Sequence, residues 1–275
     1  MEPDLKFGDC LELLHTVPDG SVDMVLCDLP YGTTQNKWDT PIDLSALWKH
    51  YLRVCKQNAA IVLTAQTPFD KVLGCSNIRL LRYEWIWEKT HPTGHLNAKK
   101  APMKAHENVL VFYRKLPTYN PIKTTGHVRK TAFKRRCNST NYGKQVFDGL
   151  AYDSTDRFPR DVLVFSSDKQ RSKLHPTQKP LALMEYLVRT YTDVGETVLD
   201  NCMGSGTTGI ACLNTGRNFI GMENVESTFR TARSRMFASI GSIYGGRRND
   251  TQSDRTCSLT SGSRNDTTCQ REETK

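Results

Sequence analysis

Two short stretches hold the residues best suited to chemistry. The first is Asp28-Leu29-Pro30-Tyr31-Gly32, which closes the apolar run "SVDMVLC". The second is "DNCMGSGTTG", Asp200 to Gly209, entered through "ETVL" and left through "IACLNTG". A carboxylate at the end of a buried strand, beside a turn stiffened by proline, is placed to accept hydrogen bonds from a ligand. Tyr31 adds a flat face for stacking. In the second stretch Gly204 and Gly206 let the backbone approach a ligand closely. A strand, a glycine turn and a helix start are where α/β folds hold a nucleotide. The spacing of Gly204, Gly206 and Gly209 also fits the dinucleotide-binding loop of oxidoreductases. Glu223, 17 residues after Gly206, would reach ribose hydroxyls in either class.

The elements that must position these residues alternate along the chain. "SVDMVLCD" and "AAIVLTA" read as buried strands, and "DLSALWKHYLRVC" lies between them with helical spacing. "YEWIWEK" and "NVLVFYRK" read as further strands. After residue 115 the periodicity fades, and residues 116–174 are rich in Lys, Arg, Asn, Thr and Gly. Regular structure returns in "KPLALMEYLVRTYT" (helix), "TVLD" (strand), "TTGIACLNTG" (helix), "NFIGME" (strand) and "VESTFRTARSRMFASI" (helix). Strand–helix units on both sides of an insert predict an α/β fold with a mostly parallel, doubly wound sheet. The expected organisation is one half-domain at 1–115, a basic insert at 116–174, a second half-domain at 175–240 and a disordered tail at 241–275. The tail has few residues to bury.

Composition narrows the classes. The net charge is +9, and residues 89–179 hold 19 Lys and Arg against 6 Asp and Glu, so the remainder of the chain carries a net −4. A basic middle calls for a polyanion partner. No apolar run is long enough to span a membrane, and "MEPDLKFGDC" is no signal peptide. The nine cysteines are scattered without a C-x-x-C pair. Free thiols and a reducing cytoplasm are therefore expected, with no zinc and no disulfides. His91, His95 and His106 lack a carboxylate or cysteine to complete a metal set.

Taken together, the two stretches resemble the signatures of the DNA amino-methyltransferases, a D-P-P-Y tetrapeptide and a D-x-F-x-G-S-G-T-T loop. Leu29 stands at the first proline and Cys202 at the aromatic position. Tetrapeptide, basic insert and glycine loop follow in the permuted, β-type order. "GDCLELL" and "HPTQKP" resemble two further family segments, and the resemblance covers about residues 5–240. It implies a Rossmann-like methyltransferase fold and S-adenosylmethionine as cofactor. Asp28, Leu29, Pro30 and Tyr31 would be catalytic, the ring of Tyr31 taking a flipped-out base. Asp9, Cys10, Thr177, Lys179, Asp200, Cys202, Gly204, Ser205, Gly206, Thr207 and Glu223 would hold the cofactor. Within "HVRKTAFKRR", Arg129, Lys130, Lys134, Arg135 and Arg136 offer charge for phosphates of double-stranded DNA. Asp and Tyr at the ends of the tetrapeptide lean, within the family, toward adenine N6. Cytosine N4, or a planar amine of RNA or another substrate, stays open, as do an inactive DNA-binding protein and an NAD-dependent oxidoreductase. The resemblance also implies a bacterial cell or a phage-infected host, and leaves room for a homodimer and a cognate restriction nuclease.

Overall fold

The computed structural model describes residues 2–32, 39–132, 152–166 and 178–249. Met1–Ser239 form one compact unit and Ile240–Lys275 a second. Among the described residues ten strands and six α-helices follow in the order β1 (Asp4–Phe7), α1 (Cys10–Leu13), β2 (Val22–Asp28), α2 (Leu44–Val54), β3 (Cys55–Ala65), α3 (Phe69–Ser76), β4 (Leu81–Thr93) and β5 (Lys104–Phe112). Then come β6 (Lys130–Ala132), β7 (Tyr152–Ser154), β8 (Val162–Phe165), α4 (Leu181–Tyr191), β9 (Thr197–Asp200), α5 (Thr207–Thr215), β10 (Asn218–Glu223) and α6 (Glu226–Asn249).

Eight strands make one sheet, ordered β1-β10-β9-β2-β3-β5-β4-β8. All neighbours run parallel except around β5, which is antiparallel to both β3 and β4. This agrees with the mostly parallel sheet expected from the sequence. The glycine-loop strand β9 lies directly beside β2, although about 170 residues separate them, with Met24 opposite Val198 and Val25 opposite Leu199. The two halves of the alternating pattern thus interleave as one sheet.

Side chains alternate across a strand, and here both faces are covered. Val25, Cys27, Ile61 and Leu63 pack beneath Leu47, Tyr51, Val54 and Leu73 of α2 and α3. Met24, Leu26, Ala60 and Val62 face Leu187, Val188, Ile210, Ala232 and Met236 of α4, α5 and α6. Burial on both sides explains why these strands read as unbroken apolar runs. Asp43 caps α2 by accepting the Ser45 and Ala46 N–H groups, and Gly216, at φ 75°, closes α5.

The structure differs from the expected organisation in two places. Val162–Phe165, inside the stretch read as an insert, pairs with β4 as the eighth strand of the main sheet. Four residues are too few to show a period, so the sequence pattern missed it. Asn120 also ties the start of that stretch to the end of α4, donating its N–H to the Thr190 carbonyl at 2.8 Å. At the other end α6 runs to Asn249, past the expected start of the tail at 241. Among the described residues no helix is long and apolar enough to cross a membrane.

Candidate active site

The strand order turns back on itself between β9 and β2: from β9 the chain winds toward β10, and from β2 toward β3. Crossover connections that leave in opposite directions open a crevice at the carboxyl ends of such strands, where open α/β sheets bind ligands. A cavity of about 640 Å³ lies there. Asp28, Leu29, Pro30 and Tyr31 line it from β2, and Asp200, Cys202, Gly204, Ser205 and Thr207 line it from the loop after β9. Asp9, Cys10, Lys179 and Glu223 complete the set brought together from the sequence reading.

Gly206 does not line the cavity. Its φ is 81°, and a Cβ there would stand 2.7 Å from the Met236 methyl and 3.1 Å from Ala232 Cβ. Its bareness therefore serves the packing of α6 as well as the turn. Thr177, Lys134, Arg135 and Arg136 lie outside the described residues. Arg129 and Lys130 lie on or beside the short β6–β7 ribbon, away from the cavity lining. The Arg129 guanidinium grips the Asp153 carboxylate from two nitrogens, at 2.7 and 2.5 Å, so part of its charge is already answered.

Asp28 is held by three donors. Its Oδ1 accepts the Tyr31 hydroxyl at 2.6 Å and the Thr64 hydroxyl. Its Oδ2 accepts the Lys179 ammonium at 2.7 Å. A carboxylate has about four lone-pair sites, so these three donors leave one, on Oδ2. Tyr31 stacks on Phe69, with ring centroids 5.2 Å apart and planes 26° from parallel, and Lys179 Nζ stands 5.5 Å from the Tyr31 ring centre. One face of the expected stacking platform is thus already backed. Burial, then Asp28, push the Tyr31 phenol well above its ordinary range, so it stays protonated and donates to Asp28.

Lys179 was expected near the cofactor, and the structure sets it on the tetrapeptide carboxylate. It also lies 3.1 Å from Glu107 Oε2, and Glu107 Oε1 pairs with Lys89 at 2.7 Å. Burial opposes the Lys179 charge, but Asp28, Tyr31 and Glu107 outweigh it and hold the ammonium well above the ordinary lysine range. Glu107 is likewise opposed by burial, yet Lys179 and Lys89 keep it ionised below its usual range. Thr64, Lys89 and Glu107 were not singled out from the sequence. A polar residue inside the apolar run "AAIVLTA", and a carboxylate at the mouth of "NVLVF", were the available signals.

On the glycine-loop side, Asp200 is buried and accepts the Cys202 N–H at 3.1 Å. Burial raises its carboxyl to about 6, moderated by bonds from Thr208 and Cys202. Glu223 closes the loop from β10: its Oε2 accepts the Gly204 N–H at 3.0 Å and its Oε1 the Val225 N–H at 2.8 Å. Burial raises the Glu223 carboxyl, and those backbone N–H groups pull it part of the way back. Cys10, Cys27 and Cys202 form a thiol cluster at the start of the loop, in which burial pushes Cys27 up to about 12. The buried Gln178 Oε1 has no hydrogen-bond donor among the described residues. An acceptor left open in a cavity wall is a place for a ligand donor.

The family model described as DNA methylase matches residues 22–234. Among curated proteins, the chain is 27% identical over 235 residues to the DNA adenine methyltransferase YhdJ of Escherichia coli K12, covering 78% of this chain and 76% of that protein. It is 27% identical over 242 residues to the type II methyltransferase M1.MboII of Moraxella bovis, covering 78% and 89%. Among solved structures, the complex of M1.HpyAVI with SAM superposes with a TM-score of 0.60 at 24% identity, covering 85% of this chain and all of that one. The cytosine-N4-specific PvuII DNA methyltransferase gives 0.61 at 15% identity, covering 90% and 94%.

Proposed function

This chain belongs to the DNA methylase family, and from that premise we propose that it transfers the methyl group of S-adenosylmethionine to N6 of adenine in a specific sequence of duplex DNA. The observation that carries the proposal is the placement of Asp28. It ends a parallel strand at the reversal of strand order, faces the cavity, and keeps a lone pair on Oδ2.

The cavity suits the cofactor chemically. Its glycine-loop side is walled by the carboxylates of Asp9, Asp200 and Glu223. These groups fit a ligand that brings an ammonium and ribose hydroxyls, all donors. The unfilled Gln178 Oε1 offers one more acceptor. When bound, the cofactor supplies a sulfonium methyl carbon, which bonds to the amine nitrogen as the C–S bond breaks and its electron pair stays on sulfur.

The protein's own part is positioning and electrostatics. An exocyclic amine is a poor nucleophile because its lone pair is delocalised into the ring. Asp28 Oδ2 accepts one amine N–H and a carbonyl of Leu29 or Pro30 the other, which draws the nitrogen toward tetrahedral geometry and frees its lone pair. The nitrogen becomes cationic as the methyl arrives, and the Asp28 charge stabilises it until one proton is lost to Asp28 and passed on to water. Tyr31, backed by Phe69, gives the base a flat partner.

A basic β-hairpin beside the cavity supports the polyanion reading. Residues 89–106 hold four lysines and three histidines and no carboxylate. Lys89, His91 and Thr93 of this hairpin line the cavity, and Leu96 near its tip is 88% exposed. The adenine choice rests on Asp28 and Tyr31 at the ends of the tetrapeptide and on the likeness to an adenine methyltransferase. The test is methyl transfer from labelled cofactor to duplex DNA, followed by digestion to nucleosides. Label in N6-methyldeoxyadenosine is the expected result. Label in N4-methyldeoxycytidine would overturn the base assignment, and none in DNA would overturn the reaction.

A further inference from the structure

We propose that Glu107 is a positioning residue that takes the Lys179 ammonium off Asp28 as the target amine arrives; this rests on the methyl-transfer reading above. Lys179 Nζ stands between two carboxylates, 2.7 Å from Asp28 Oδ2 and 3.1 Å from Glu107 Oε2. The first is a well-aligned hydrogen bond, and the second an ion pair whose alignment falls short of one. Glu107 Oε2 is buried and has no hydrogen-bond donor among the described residues, despite the nearby charge. It is an open acceptor within a small shift of the ammonium. Lys89 holds the other oxygen at 2.7 Å and so fixes the carboxylate's orientation.

Lys89, Glu107 and Lys179 are each no more than 9% exposed. With Asp28 they form a chain of alternating charges that sums to zero. Asp28 and Lys179 alone would already be neutral. A second buried ion pair adds desolvation cost and is weak evidence for stability, so its place here calls for another reason. The chemistry supplies one. Asp28 must accept an amine N–H and then stabilise a nitrogen turning cationic. An ammonium held on the same oxygen weakens it as an acceptor for the first and repels the second. Moving to Glu107 Oε2, Lys179 fills the open acceptor and leaves Asp28 Oδ2 to the amine. Glu107 acts on the reaction only through Lys179.

The test compares Glu107→Asp with the double variant Lys89→Met/Glu107→Gln in the full chain, by steady-state methylation of duplex DNA and thermal melting. The double variant removes a whole ion pair and keeps the site neutral, so it should melt close to wild type. Its kcat at saturating DNA should fall about tenfold or more, with KM for cofactor little changed, the signature of an interaction realised only in the transition state. Glu107→Asp keeps the charge and should retain more kcat than the double variant. Wild-type kcat in the double variant would show that Glu107 only balances charge and would overturn the proposal. So would a loss confined to KM, or a Glu107→Asp variant no better than the double. If the double variant melts far below wild type, a Glu107→Asp variant that melts normally with wild-type KM for cofactor and intermediate kcat sustains the proposal, and any other result for it overturns the proposal. A wild-type protein without turnover on DNA would remove the methyl-transfer reading as well, a different result from a fully active double variant.

Discussion

Asp28 and Asp200 end two neighbouring parallel strands, β2 and β9, on either side of the point where the strand order reverses. One carboxylate is gripped by Tyr31, Thr64 and Lys179, and the other is buried beneath the glycine loop. The first is charge-compensated and ready to accept donors. The second is held near its own titration point by burial. Two acids of one type are thus given different environments by their surroundings, a pattern that suits different tasks.

Asp28→Ala should cut methylation by about 10²–10³-fold, the scale for losing one preorganised polar partner of the reacting group. Cofactor affinity should hold, because Asp200, Glu223 and the glycine loop are untouched. Calorimetry with cofactor, beside a methylation time course, checks both halves. Turnover at the wild-type rate would remove Asp28 from the mechanism.

The two chemistry-bearing stretches were legible because each couples a local signal to a buried strand: Asp28 after "MVLC", and Gly204 and Gly206 after "TVLD". Alternation and order predict one mostly parallel sheet; that the two motif strands are neighbours in it, with Val25 opposite Leu199, is shown by the fold. What the sequence hid is whatever depends on strand direction and long-range register. Nothing in "NVLVF" says that β5 runs antiparallel between β3 and β4, yet that reversal carries Glu107 to Lys179. Lys179 itself was placed by resemblance near the cofactor. Only the fold puts it on a carboxylate 151 residues away.

Asp200 gives a pH signature. Its folded carboxyl, raised to about 6, holds its proton more tightly than an unfolded one near the ordinary 3.8. Its stabilising contribution is therefore fully present below about 3.8 and is lost as the pH rises through about 6. Asp200→Asn, which keeps an acceptor for the Cys202 N–H, does not titrate. The variant's melting temperature relative to wild type should rise between pH 4 and pH 7, with a ceiling of about 3 kcal/mol for a shift of this size. A difference that is flat across that window would mean that Asp200 is not buried as an acid.

The hairpin between β4 and β5 should touch DNA. Replacing Lys99, Lys100 and Lys104 with Ala should weaken binding to any duplex and flatten the slope of log affinity against log salt by about 0.9 for each phosphate no longer neutralised. Turnover at saturating DNA should change less, since these residues stand outside the Asp28 contacts. Fluorescence-anisotropy titrations at several salt concentrations read the slope. An unchanged slope would place the duplex elsewhere.

Gly209 tests how tightly the glycine loop is seated. A Cβ there would run into Met236 Sδ and lie 2.8 Å from Phe219 Cε1. Two effects of Gly209→Ala oppose each other. Inside α5 alanine gains about 1 kcal/mol of helix propensity over glycine, while overpacking a filled core costs about 1–3 kcal/mol. The neighbours decide the sign. Met236 can swing its sulfur aside, but it is fully buried, and the Phe219 ring, 3% exposed, sits on β10 between β1 and β9. Overpacking should win, so the variant should melt below wild type. Adding Met236→Ala should not restore it, because the ring contact remains and a cavity is added. The start of α5 carries Thr207 at the cavity wall, so a helix pushed off β10 should also weaken cofactor binding in calorimetry. A single variant that melts at or above wild type would show that α5 stands farther from β10 than these distances imply.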